Sequence, residues 1–188
     1  GFLTTSVGIQ YGWRRDPTQW VGRQVVDDST RYIFGTIDRK TLNVTTRVDW
    51  TLTPTLSVQL YAQPYVSAGR YGEYREVIAP GATRFEDRYR VYGNELTCAN
   101  DECEVDLDTD GTADFSFSQP DFNYKSLRST MVLRWEYRPG SVLFVAWQHG
   151  RSQDLSDPSF NVVSDLTDLF SLEARNTFLV KANYWVGF

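Results

Sequence analysis

The sequence is short of the residues on which most enzyme sites are built. His149 is the only histidine, Met131 the only methionine, and there are two cysteines. No G-x-S-x-G, H-E-x-x-H or phosphate-binding glycine loop occurs, so no enzyme is expected. His149 lies near the outer end of an apolar strand and reads as an interfacial or packing residue rather than a general base. An excess of positive charge is also lacking. The chain carries 19 Lys+Arg against 24 Asp+Glu, a net charge of -5, which argues against a nucleic-acid partner. No run approaches the roughly 20 apolar residues of a membrane helix, and no signal peptide is recognisable. Neither absence excludes a membrane barrel, whose strands give a far weaker hydropathy signal. The chain begins at Gly1 without a methionine, and a processed product or a fragment is expected.

What the sequence does have is alternation. From Leu42 to Leu52 every second residue is apolar or threonine: Leu42, Val44, Thr46, Val48, Trp50, Leu52. Between them lie Asn43, Thr45, Arg47, Asp49 and Thr51. A strand turns successive side chains to opposite faces, so one face is apolar and the other polar. The pattern recurs in Leu3–Trp13, Leu56–Val66, Leu127–Tyr137 and Phe178–Phe188, and Val142–Trp147 is apolar almost throughout. Thr53-Pro54-Thr55 and Arg138-Pro139-Gly140-Ser141 read as tight hairpin turns. Three long polar connections alternate with them, at Arg14–Lys40, Arg70–Asn123 and Ser152–Arg175.

Short turns at one rim and long loops at the other are the habit of outer-membrane barrels. Trp50, Trp135, Tyr137, Tyr184 and Phe188 fall near one set of strand ends and Trp13 near the other, as interfacial aromatic girdles require. The expected fold is all-β: an antiparallel, up-and-down transmembrane β-barrel segment of about six long strands, with short periplasmic turns and long extracellular loops. The smallest membrane barrels have about eight strands. The segment is therefore expected to belong to a larger barrel, completed by upstream sequence or by other chains.

Three stretches carry a family likeness: "VDWTLTPTLSVQLYAQPYVSAGRY", "SQPDFNYKSLRSTMVLRWEYRPGSVLFVAWQHGRS" and "NTFLVKANYWVGF". They resemble the C-terminal barrel region of a bacterial outer-membrane family of unassigned function. Its members carry an N-terminal carbohydrate-binding family 9-like domain. The resemblance implies a place in the outer membrane with the loops extracellular, and it supplies no catalytic residue. Arg14–Lys40 and Tyr71–Phe117 match it poorly. Phe188, an aromatic ending an amphipathic strand, resembles the signal read by the barrel-assembly machinery.

Within the long connection 70–123, "DLDTDGTADF" places Asp106, Asp108 and Asp110 before Gly111, with Asp114 after it. Alternate carboxylates around a glycine turn suit Ca²⁺, and the Thr112 carbonyl falls at the seventh position. Phe117 stands where an EF-hand has its bidentate Glu, so that ligand would come from Glu102, Glu104 or Asp121. The other reading is a solvated acidic loop. Cys98 and Cys103 are expected to form a disulfide, since a thiolate metal site there would lack ligands. Arg47, Asp49, Arg128, Arg134, Glu136 and Lys181 share the polar phase and are expected to face the lumen, either as a solute pathway or as a salt-bridged ladder. "FNVVSDLTDLFSL" has helical spacing and reads as a short helix near 160–173, for plugging, docking or loop packing. The functional expectation is transport or surface binding of a solute or carbohydrate. The alternative is a calcium-stiffened structural or adhesive protein of the cell surface.

Overall fold

The computed structural model describes residues 1–26 and 28–187. Phe188 lies outside the described residues. In chain order the strands are β1 (Phe2–Val26), β2 (Ser29–Thr53), β3 (Leu56–Val77), β4 (Tyr89–Val91), β5 (Leu96–Ala99), β6 (Glu102–Val105), β7 (Phe115–Ser118), β8 (Phe122–Arg138), β9 (Ser141–Leu155) and β10 (Arg175–Asn183). One α-helix, α1 (Val162–Ser171), precedes β10.

The long strands form one antiparallel meander in the order β1-β2-β3-β8-β9-β10, with β4 on the outer end of β3. The two faces expected from the alternation persist across it. Val48 stands opposite Leu60, Leu60 opposite Met131 and Met131 opposite Trp147. One residue along, Arg47 stands opposite Tyr61, Tyr61 opposite Thr130 and Thr130 opposite Gln148. The sheet is open: among the described residues β1 pairs only with β2, and β10 only with β9.

The connection Arg14–Lys40 is not a loop. β1 and β2 continue through it as a hairpin that turns near Asp28, whose φ is 58°. The period-two signal fails there for two reasons. The ladder shifts between Asp16 and Gln19 and again between Trp20 and Gly22, and each shift resets the phase. The outer half also carries apolar residues on both sides, such as Ile33 on one and Phe34 on the other, so neither face is uniformly apolar. β3 likewise runs on to Val77, while β8 begins opposite Gly69, so the outer ends of β1–β3 project beyond the rest of the sheet. The small sheet β5-β6-β7 packs on this projection. Ile33, Tyr74, Tyr92, Cys103, Val105 and Phe117 form the buried core between them.

The last strand is shorter than expected. β10 ends at Asn183, opposite Val142, because β9 begins at Ser141 and offers no further partner. The chain then folds against the β8–β9 turn. Trp185 N–H donates to Ser141 Oγ at 3.0 Å, and Arg138 donates to the Tyr184 hydroxyl at 2.9 Å. Both tight turns lie at this end of the sheet, whereas β4–β7 and α1 lie at the other.

Candidate functional site

The polar wall of the sheet is the widest arrangement of functional groups. At its middle, Asn43 Nδ2 donates to Gln10 Oε1 at 3.1 Å and Gln63 Nε2 to Asn43 Oδ1 at 2.9 Å, a chain of amides across β1, β2 and β3. The Tyr61 hydroxyl joins it, donating to Gln63 Oε1 at 3.1 Å. Side chains from neighbouring strands on one face lie close enough to bond in this way. The network orders polar groups without consuming them all, and it leaves the clefts between them open to water.

Arg47 and Asp49 line one such cleft, of about 330 Å³, with Gln59, Tyr61 and Thr130. The Arg47 guanidinium lies over the Tyr61 ring at 5.6 Å, a cation–π contact that holds the side chain along the wall. Arg128 lines a second cleft of about 220 Å³ with Gln63, Tyr65, Tyr124 and Ser126. Arg134 and Glu136, two residues apart on β8, form an ion pair at 3.4 Å. Lys181 stands opposite Phe144, which stands opposite Arg134. Among the described residues that ion pair is the only one within the expected set, so the six residues share a face without forming a continuous ladder.

The acidic loop brings together three of its expected ligands. The carboxylates of Asp106, Asp108 and Asp114 offer oxygens that all lie within 4.8 Å of one another. Asp110 is not in that group and accepts from Thr112 N–H at 2.7 Å. Asp106 accepts from Gly111 N–H at 2.8 Å, and Asp114 from Leu107 N–H at 2.7 Å, so backbone donors preset the loop. Asp121 is engaged elsewhere. It accepts from Tyr71 N–H at 2.6 Å, and burial holds its carboxyl above the usual range despite that bond. Glu102 accepts from Ser116 Oγ. Cys98 and Cys103 stand opposite each other across β5–β6 and are bonded as a disulfide, with Cys103 fully buried. Burial also pushes the Tyr74 phenol up.

Sequence reasoning did not find the cluster that seats α1. Asn161 caps the helix by accepting from Val163 N–H at 3.1 Å and Ser164 N–H at 3.2 Å. Lys125, at 2% exposure, donates to Asp165 Oδ1 at 3.3 Å and to Asp168 Oδ2 at 2.8 Å. At the other helix end Arg151 donates to the carbonyls of Leu169 and Phe170. Lys125 and Arg151 are cations on the apolar phase of β8 and β9, and that anomaly is the signal that could have revealed them. His149 is held by its neighbours on the apolar phase of β9. Its Nδ1 lies 2.9 Å from Asn176 Oδ1, and its Nε2 accepts from Arg151.

No curated protein and no solved structure matches the chain. A family model does match, over residues 3–188, and its family is described as a domain of unknown function, DUF5916. With that match over nearly its whole length, the chain belongs to the DUF5916 family.

Proposed function

We propose that the six-stranded meander is part of an outer-membrane β-barrel whose polar face lines a water-filled lumen for passage or surface binding of a solute. The observation that carries this reading is the apolar face, which α1 and the chain leading to it cover at its outer end and which is exposed along the edge strands. Leu3, Val7, Ile9, Tyr11 and Trp13 of β1 are each 58% or more exposed, as are Phe178 and Val180 of β10. Contiguous exposed apolar rows of this kind are uncommon in soluble monomers. Its height also suits a bilayer. The rise from Leu3 to Trp13 is roughly 34 Å along the strand, or about 25 Å at a barrel tilt of about 40°.

The open edges support a larger assembly. In lipid each unpaired backbone group costs several kcal/mol, so β1 and β10 would pair with strands from upstream sequence or from other chains. A carbohydrate-binding family 9-like domain upstream would suit a carbohydrate solute, delivered to or captured at the surface. On this reading β5–β7 and the Asp106–Asp114 loop are extracellular, with Ca²⁺ as the loop's expected stiffener and the disulfide as its brace. A calcium-stiffened adhesive protein would explain that loop equally well, but it leaves the apolar face bare. Membrane extraction separates the two. The full-length protein should stay with the outer membrane through salt and alkali and leave it only in detergent. Release by alkali alone would overturn the barrel reading.

A further inference from the structure

On the strength of that membrane reading, we propose that α1 is an in-plane lipid anchor. It would lie on the outside of the barrel at the level of the outer aromatic girdle, with Val163 and Phe170 in the outer leaflet. The helix sits on the apolar side of the sheet. It is held through Lys125 and Asn123 of β8 and Arg151 of β9, which share the phase of Leu127, Met131 and Leu133. Phe160, at its approach, packs on Tyr11 of the apolar row with ring centroids 6.3 Å apart. α1 thus continues the face already assigned to lipid.

The outward face of the helix carries two large apolar side chains among hydroxyls. Asp165 and Leu169 point down and are buried, while Val163 and Phe170 are 72% and 69% exposed on the opposite side. Thr167, between them on that face, turns its hydroxyl back onto the Val163 and Ser164 carbonyls, both at 2.9 Å. Ser164 donates to the Asn161 carbonyl at 3.3 Å and Ser171 to that of Asp168 at 2.7 Å. Every hydroxyl on α1 is therefore satisfied by the helix itself. In water this back-bonding competes with ready solvation; in lipid it is what a hydroxyl requires. Lys125 and Arg151 are tied beneath the helix or to its last carbonyls, and the half-exposed Asp168 carboxylate lies on the flank of the helix, bonded to Lys125. A short amphipathic helix of this kind lies in the interface rather than across it.

The test is spin-label accessibility in the full-length protein, with the Cys98–Cys103 disulfide left intact. Labels go at Val163→Cys, Phe170→Cys, Val7→Cys as the barrel reference and Thr83→Cys as the water reference. The protein is reconstituted in phosphatidylethanolamine–phosphatidylglycerol vesicles. Collision with oxygen should exceed collision with a water-soluble nickel chelate at positions 7, 163 and 170, and the order should reverse at 83. Oxygen excess at 7 with nickel excess at 163 and 170 would overturn the anchor while leaving the barrel reading intact. Shielding of 163 and 170 from both reagents would mean that protein covers the helix, which also overturns the anchor. Nickel excess at position 7 as well would overturn the barrel reading and the anchor with it.

Discussion

Replacing Lys125 with methionine should release α1 while leaving the sheet in place. The methionine keeps most of the apolar stem and removes the ammonium. The 2.8 Å contact to Asp168 matters little, because that side chain is 53% exposed and screened, and a contact of this kind is worth at most about 1 kcal/mol. Asp165 is different: its side chain is 7% exposed, and Lys125 Nζ at 3.3 Å is its cationic partner. Without the lysine it keeps only neutral donors, the Asn123 amide at 3.1 Å and Asn161 N–H at 2.9 Å. Stripping one partner from a buried ion pair costs about 3 to 5 kcal/mol.

The helix can escape that cost by undocking, which hydrates the carboxylate. Undocking sacrifices the burial of Leu169, worth about 1.5 to 3 kcal/mol, along with the Arg151 bonds to the helix carbonyls. The two sums are comparable, so the undocked form should be well populated. Hydrogen exchange reads this directly. Amide protection across 162–171 should fall by about 10²-fold, since each 1.36 kcal/mol is a factor of ten, and β8 amides should be unchanged. Lys125→Met with Asp165→Asn removes the stranded charge and should restore most of the protection. Unchanged protection in Lys125→Met, or no recovery in the double variant, would refute the reasoning.

Other perturbations address the remaining parts. Val48→Arg or Leu133→Arg places a charge in the apolar band and should cost about 2 to 4 kcal/mol, seen as loss of assembled protein; Arg47→Val, on the polar face, should be milder. Asp108→Ala removes one of the three convergent carboxylates and should raise the protease sensitivity of 95–115. A chelator should reproduce that effect on the unchanged protein, and no effect of chelator would leave only an acidic loop. Cys98→Ser opens a short cross-strand link, which by chain entropy costs about 2 kcal/mol; proteolysis should rise in β5–β7 and not in β8–β10.

The parts of the fold legible in the sequence are those where one face is apolar and the other is not. Val44, Val48 and Trp50 set the phase of β2 because each shares its face with apolar residues on β1 and β3. The same strand's outer half was illegible because no single face there is apolar, and the shifts near Gln19 and Gly22 hide what periodicity survives. The end of β10 was missed for another reason. Tyr184 and Val186 continue the alternation, but a ladder also needs a partner, and β9 has none to give beyond Ser141. For the acidic loop, residue type was legible and convergence was not. Asp110 fits the spacing, yet the carboxylates that converge are those of Asp106, Asp108 and Asp114. Lys125 shows the deepest limit. Its place on an apolar row was visible as an oddity, but its partners lie about 40 residues further on and are known only once α1 is docked.

A cysteine scan along β2 tests the two-faced barrel most directly. Each residue from Val44 to Asp49 is replaced singly in the full-length protein, held in outer-membrane vesicles and treated with a water-soluble maleimide; the native cysteines are bonded to each other and do not react. Positions 45, 47 and 49 should label from the lumen, and positions 44, 46 and 48 should stay unlabelled against lipid. Equal labelling of both sets would contradict the assignment of one face to lipid and the other to water.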